Sequence, residues 1–224
     1  MPYNIIGSVQ DEGSLMGSIK NTFGVKDSTI NKWKWGPGGE GVIHAIDPGD
    51  ANTIYTSSFY GRLIKANLDL PDTLQERSIA PKKQADEETH RGEWLAYTLI
   101  SPHNSFTVYH GMQYLFKSVD SGATWKRISP DMSNNNKQRM GRTPYAINHQ
   151  AITAIDESPF KKGLLYIGTD DGKVWLSLND GCNWNEISKG LPVNTHVSRM
   201  VASKYNEATV YLTLNDRRED NITP

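Results

Sequence analysis

Four copies of one short pattern run along the 224-residue chain and limit its fold more than any other feature. Each copy has an apolar segment, a polar or proline-containing turn, and a second segment of β-branched and aromatic residues, which is typical of two antiparallel strands. The second segments share a tyrosine, at Tyr55, Tyr109, Tyr166 and Tyr211, so the steps are 54, 57 and 45 residues. Such a period indicates a repeat architecture in which each copy is one supersecondary unit.

Two more predicted strands follow in the repeat, and four short antiparallel strands per copy are the unit of a propeller blade. We therefore predict an all-β fold, a single β-propeller of about four blades with four antiparallel strands each, incomplete at both ends. A β-sandwich also has regularly spaced strands, but they do not usually repeat one pattern. The predicted divisions are a partial first blade at 1–32, blades at 40–92, 93–147 and 148–192, and a partial last blade at 193–224.

Two copies carry a sharper motif between their third and fourth predicted strands. Ser118 to Trp125 matches S-x-D-x-G-x-T-W at every position, and Ser177 to Trp184 matches it with Asn for both Asp and Thr. The short polar side chain accepts bonds from nearby backbone N–H groups, glycine allows a positive φ, and tryptophan anchors the turn between sheets. The motif residues are Ser118, Asp120, Gly122, Thr124, Trp125, Ser177, Asn179, Gly181 and Trp184.

This motif resembles the Asp-box (BNR) repeat of sialidases, xyloglucanase-type glycoside hydrolases and the sortilin ectodomain. The sequence outside the motif is also similar to bacterial sortilin-like or glycosyl-hydrolase-like repeat proteins. The segments that carry this similarity are Gln10–Gly13, Gly38–Gly41, Ile128–Met132 and Gly190–Pro192. The resemblance implies a propeller that binds carbohydrate, peptide or a small molecule, with hydrolase activity as an option. It also implies a secreted or periplasmic bacterial protein. In those families the Asp box is a structural turn away from the active site.

Composition excludes several classes of function. Lys and Arg number 24 against 25 Asp and Glu, so a net charge of −1 gives no general attraction to nucleic acid. No run of 18 apolar residues is present, so we predict no membrane-spanning helix, and the start at Met1 shows no signal peptide. The one cysteine, Cys182, rules out an internal disulfide framework and a cysteine-rich zinc site.

Polar residues where the innermost strands begin are the natural candidates for chemistry, because those strands line the channel of a propeller. Two carboxylates there could serve glycoside hydrolysis. Their oxygens could instead hold Ca²⁺, with a histidine as general base, in a hydrolase of small esters or lactones. A third reading is a non-catalytic scaffold with a merely solvated channel. The catalytic candidates are Glu40, Glu93, His149 and His196, and the Ca²⁺ candidates are Asp11 and Glu12.

Ligand contacts and assembly complete the predictions. The ligand-binding candidates are Trp33, Trp35, Gln10 and Gln150, with the tryptophans as an exposed surface for sugar stacking. Two long polar insertions, Leu70–Arg91 and Asp131–Asn148, are expected to project as binding loops. Open blades expose unpaired strand edges, so we expect a homodimer joined through the edges at the two ends of the chain.

Overall fold

The computed structural model describes residues 3–18, 33–71, 75–141 and 149–216. Within these ranges seventeen β-strands form five antiparallel sheets, and the only helical element is a 3-10 turn at Phe59–Gly61. The predicted all-β class is therefore confirmed. No helix among the described residues is long and apolar enough to cross a membrane.

Each sheet follows the chain as a simple meander. The first contains β1 (Asn4–Val9), β2 (Gly13–Ser18) and β3 (Lys34–Trp35). The second contains β4 (Ile43–Asp47), β5 (Asp50–Ser57), β6 (Leu63–Asn67) and β7 (Glu76–Ser78). The third contains β8 (Thr98–Ile100), β9 (Val108–Gly111), β10 (Leu115–Ser118) and β11 (Lys126–Arg127). The fourth contains β12 (Ile152–Glu157), β13 (Leu165–Thr169), β14 (Val174–Ser177) and β15 (Asn185–Glu186), and the fifth contains β16 (His196–Ala202) and β17 (Val210–Asn215).

The first strand of each full sheet lies at one edge, and these first strands contact one another from sheet to sheet. β4 contacts β8, β8 contacts β12, and β12 contacts β16. The fourth strands lie at the opposite edges, away from these contacts. This arrangement is the radial order of propeller blades, with three four-stranded blades between a three-stranded and a two-stranded sheet. The predicted propeller is confirmed.

The apolar core lies between neighbouring sheets rather than within any one of them. One cluster joins Tyr55 and Leu63 of the second sheet to Val108 of the third. Another joins Tyr109 and Leu115 of the third sheet to strands of the fourth, and a last one joins the fourth sheet to the fifth. The second to fifth sheets therefore share their cores with a neighbouring sheet, as repeat folds require.

The turn between β10 and β11 is held by its own side chains. The Ser118 hydroxyl oxygen accepts a bond of 2.8 Å from the Gly122 amide. The Asp120 carboxylate accepts bonds from the Thr124 amide at 2.8 Å and the Thr124 hydroxyl at 2.6 Å. These bonds lower the pKa of Asp120 to about 2, chiefly through the Thr124 hydroxyl. The carboxylate thus fixes the turn that carries the following tryptophan.

The turn between β14 and β15 repeats this arrangement with amides. The Ser177 hydroxyl oxygen accepts from the Gly181 amide at 2.9 Å, and the Asn179 side-chain oxygen accepts from the Asn183 amide at 2.9 Å. The Trp184 indole N–H donates to the Ile128 carbonyl of the preceding sheet at 2.9 Å. Both turns therefore have the side-chain bonding expected from the motif.

Two short outer strands lie where the sequence did not suggest them. β7 falls within Leu70–Arg91, which was expected to project as a loop, so that expectation is wrong for Glu76–Ser78. The reason is that its three residues are all exposed and carry no apolar pattern. β3 pairs with β2 in the register Met16↔Lys34, matching Lys117↔Lys126 in the third sheet. Trp33 therefore occupies the position of the motif tryptophan.

Replacing Gly181 by alanine should destabilise the fold more than the same change at Gly190. Both glycines have positive φ, +83° and +89°, so both variants carry the cost of a left-handed backbone. A methyl at Gly181 would lie 2.9 Å from the Ile128 carbonyl oxygen, whereas Gly190 faces open space. We expect Gly181→Ala to lose about 1–3 kcal/mol more in urea unfolding, the cost of overpacking. Equal losses would contradict the tight docking of this turn.

Candidate functional site

One end of the sheets brings together the segments that precede the inner strands and the turns between second and third strands. We call this end the mouth. Gly41 packs against Gln10, and Gly92 packs against Gly61. The Ile152 amide donates to the Met112 carbonyl at 2.8 Å. Each approach segment therefore rests on the hairpin turn of the preceding sheet, and most of the predicted site residues lie in these joints.

The first joint holds three acidic candidates. The Glu40 carboxylate accepts a hydrogen bond from the Asp11 amide. Asp11 and Glu12 are exposed in the β1–β2 turn, and Asp11 has a φ of 66°. Among the described residues no group of three or more His, Cys, Asp or Glu is arranged to hold a metal ion. Glu40 is thus hydrogen-bonded to the backbone of the turn that carries the two Ca²⁺ candidates.

The second joint forms an aromatic cluster around Tyr60. The Tyr60 amide donates to the Glu93 carbonyl at 2.9 Å, and the Glu93 carboxylate accepts from the amide of Trp94. The Tyr60 ring meets the Trp94 ring edge-on at 5.6 Å and the His149 ring at 5.3 Å between centroids. Tyr60 is 51% exposed and Glu93 only 3%. The aromatic ring therefore faces solvent while the carboxylate is enclosed.

Asp170, in the turn after β13, is a residue of the candidate site that the sequence did not reveal. Its carboxylate accepts three successive amides, those of His149 at 2.7 Å, Gln150 at 3.0 Å and Ala151 at 2.9 Å. Burial, and next the negative charge of Glu93, raise the pKa of Asp170 to about 7 despite these bonds. One buried carboxyl therefore fixes the approach to β12 and connects two predicted catalytic residues, Glu93 and His149.

Gln150 lies in the same segment and is fully buried. Its side-chain amide donates to the Asn136 carbonyl at 2.7 Å, and its oxygen accepts from the Asn136 amide. A buried amide with both ends on one backbone residue positions that loop rather than a ligand. Gln113, also fully buried, does the same for another segment, since it accepts from the Arg91 amide at 2.7 Å and donates to the Thr89 carbonyl at 3.0 Å.

His196 begins β16 opposite Asn215, in the joint between the fourth and fifth sheets. Its neighbour Thr195 packs against Gly172. The four catalytic candidates therefore lie at the starts of four different inner strands. Glu93 and His149 share Tyr60 and Asp170 as neighbours, whereas Glu40 and His196 lie in separate joints.

The two predicted tryptophan contacts lie on the first sheet. Trp33 and Trp35 flank one residue of β3, so they project to the same face of the strand. Trp33 lies over Gly17 and Trp35 over Gly13, where an added Cβ would meet the rings at 2.9 and 3.1 Å. The side chains are 46% and 74% exposed. Two exposed indoles therefore form a platform backed by glycine, which we call the tryptophan platform.

The sequence matches no family model and no curated protein. Among solved structures, it is similar to the GH74 xyloglucanase from Xanthomonas campestris, with a TM-score of 0.56 and 17% identity over 95% of this chain and 32% of that one. The GH74 enzyme from Niastella koreensis gives 0.53 and 17%, over 94% and 31%. The extracellular domain of a putative hybrid two component system from B. thetaiotaomicron gives 0.52 and 15%, over 92% and 25%. The chain thus spans a third or less of these proteins, and the likeness shows an all-β propeller fold.

The stability of the fold should depend on the protonation of Asp170. Its pKa rises from 3.8 to about 7 on folding, so the folded chain holds a proton that the unfolded chain releases. This stabilisation is complete below pH 4 and is lost as pH rises through 7, by at most about 1.4 kcal/mol per pH unit. Urea unfolding from pH 4 to 8 should show a fall that Asp170→Asn lacks. The exposed control Asp69→Asn should keep the fall, and an unchanged slope in Asp170→Asn would contradict the assignment.

Proposed function

We propose that the chain is a carbohydrate-binding propeller of the Asp-box type, related to glycosyl hydrolases and sortilin. The observation that carries the proposal is the tryptophan platform of Trp33 and Trp35. Flat indole faces bury a large apolar area with little loss of side-chain freedom, and their polar edges remain free for water. A pyranose ring presents a C–H face that fits such a surface. The fold shared with GH74 structures supports the same class of ligand.

The spacing of the platform supports a chain of sugars rather than a single one. Residues two apart in a strand are separated by about 6.6 Å along the strand axis. Both rings are held from below by the glycines of β2, so the platform is formed before a ligand arrives. A preformed surface loses little entropy on binding. Gln10, exposed in the neighbouring turn, adds a polar contact at the edge of the same sheet.

The mouth supports binding better than hydrolysis. The carboxylates of Glu40, Glu93 and Asp170 all accept backbone amides, and the latter two are buried. A general acid must reach the atom that it protonates. The Tyr60 ring, which is 51% exposed, suits contact with a sugar or a peptide side chain. The motif turns, on this proposal, are structural Asp boxes, and the chain works outside the cell, as the resemblance implies.

Removing the tryptophan platform should abolish carbohydrate binding while leaving the fold intact. We expect Trp33→Ala combined with Trp35→Ala to weaken binding of a xyloglucan oligosaccharide at least tenfold in calorimetry, since two stacked rings are lost. The matched control is Tyr205→Ala, which removes another exposed aromatic ring, 95% exposed on the fifth sheet. Unchanged affinity in the double variant would overturn the proposal. Binding on a peptide array but on no glycan would replace carbohydrate by peptide.

Hydrolysis is tested by the same protein with aryl-glycoside, ester and lactone substrates. On our proposal none is turned over, with or without chelator, and Glu93→Gln and His149→Ala leave glycan binding unchanged. Turnover that a chelator abolishes would favour the Ca²⁺-dependent hydrolase and place Asp11 and Glu12 at the ion. Glycosidase turnover lost in Glu93→Gln would make the mouth an active site. Inertness together with an absence of any ligand would leave the scaffold reading.

Association through strand edges is part of the same proposal. Among the described residues β1 pairs only with β2 and β17 only with β16, and Tyr211 on β17 is 64% exposed. Such edges tend to pair with another chain. We expect light scattering to give about twice 25.1 kDa, and a mass near 25.1 kDa at all concentrations would refute the dimer. Ile6→Pro or Tyr211→Lys should return the monomer mass with an unchanged circular dichroism spectrum.

A further inference from the structure

Two grooves of the same construction lie side by side on the outer surface of the second to fourth sheets, whereas the tryptophan platform belongs to the first sheet. The first, of about 520 Å³, runs between β7 with its following segment and the motif turn of the third sheet. The second, of about 500 Å³, runs between β11 with its following segment and the motif turn of the fourth sheet. In each groove the motif tryptophan donates its indole N–H across the floor, Trp125 to the Ile79 carbonyl and Trp184 to the Ile128 carbonyl.

The first groove is lined by more positive than negative charge. Arg77 and Lys82 are exposed on its wall, and within the described residues no ion pair joins either of them to an acid. Arg127 pairs with Glu87 at 3.2 Å. Glu87 is the one acid of this lining, and it also accepts the Gln84 amide at 2.9 Å. Two cationic side chains are therefore left to a ligand.

The second groove continues this charge. Lys126 is exposed in its lining next to Arg127, and within the described residues it too has no acidic partner. The acid of this lining, Asp180, is occupied by Lys117 at 2.5 Å. On the next outer strand, β15, the position of Arg127 is taken by Glu186, which pairs with Lys173 at 2.8 Å. The linings of these two neighbouring grooves are thus basic in a chain whose net charge is −1.

We propose that the paired grooves bind an anionic polysaccharide that carries carboxylate or sulfate groups at regular intervals. A single exposed cation contributes little, because water and salt screen it. Equivalent grooves repeated by the blade period present cations at regular intervals, and a polymer with repeated charges contacts several of them at once. Single-stranded nucleic acid is a weaker candidate, because it needs stacking platforms, and both groove tryptophans are only partly exposed and bonded to the backbone.

The experiment compares oligogalacturonate and a sulfated dextran oligomer with neutral dextran of the same length, by calorimetry on the full chain at low salt. With Trp33→Ala and Trp35→Ala in place, so that the tryptophan platform cannot hold a sugar chain, we expect both anionic oligomers to bind and the neutral one not to bind. Arg77→Ala with Lys82→Ala should weaken binding about tenfold and Lys126→Ala about threefold, as expected for exposed charges. The matched control is Lys161→Ala with Lys162→Ala, which removes the same charge from an exposed turn of the fourth sheet and should change affinity less than twofold.

The outcomes separate this proposal from the tryptophan platform. Trp33→Ala with Trp35→Ala should leave the anionic oligomers bound, so either proposal can fail alone. Equal binding of neutral dextran to that double variant, or an equal loss in the lysine control, would overturn the grooves as an anion site. Tighter binding of single-stranded DNA than of either oligomer would make the grooves a nucleic-acid surface instead. Circular dichroism and unfolding midpoints matching the parent chain confirm that each variant is folded.

Discussion

The structure depends on the docking of each motif turn onto the sheet before it. A meander of four short strands cannot bury both of its faces, so its core is completed only by a neighbouring sheet. The indoles of Trp125 and Trp184 provide the register for this contact, because each donates to the carbonyl of the residue just beyond an outer strand, Ile79 or Ile128. Trp175 adds a third such bond, to the Met132 carbonyl at 2.7 Å. Rotation of one sheet past another would break these partly buried hydrogen bonds.

Charged side chains between the third and fourth sheets also hold the motif turn in place. The Tyr109 hydroxyl lies 3.3 Å from Asp180 and 3.4 Å from Glu157, and Lys117 pairs with Asp180. Burial, together with these two carboxylates, raises the pKa of Tyr109, so its hydroxyl stays a donor throughout the physiological range. Because Asp180 belongs to the motif turn of the fourth sheet, the turn is held by its own backbone bonds and by the third sheet at once. The indole hydrogen bonds and these charged contacts together fix the shape of the outer grooves.

The features that repeat along the chain could be predicted from the sequence, whereas the shortest strands and single buried polar residues could not. The inner strands and the motif turns follow from patterns that recur at the blade period. β3 and β7 were missed because strands of two or three exposed residues carry no alternation of apolar and polar side chains. Asp170 was missed because nothing in the sequence of Thr169–Gly172 indicates that its carboxylate is buried. The burial of Gln150 depends likewise on a distant loop, at Asn136.

The distribution of buried carboxylates explains why ligand binding is proposed at the tryptophan platform and the outer grooves and not in the channel. Approach segments without regular structure still contain backbone amides that must be bonded once water is excluded. At the mouth this requirement is met by side chains: Glu40 accepts from the turn of the preceding sheet, Glu93 from the amide of the adjacent Trp94, and Asp170 from the segment before β12. A carboxylate that releases those amides to act on a ligand would leave them unsatisfied, at a cost of about 1–3 kcal/mol for each group. Ligand contacts without this cost are available where side chains do not hold the backbone, as with the exposed indole on β3 and the exposed cations of the outer grooves.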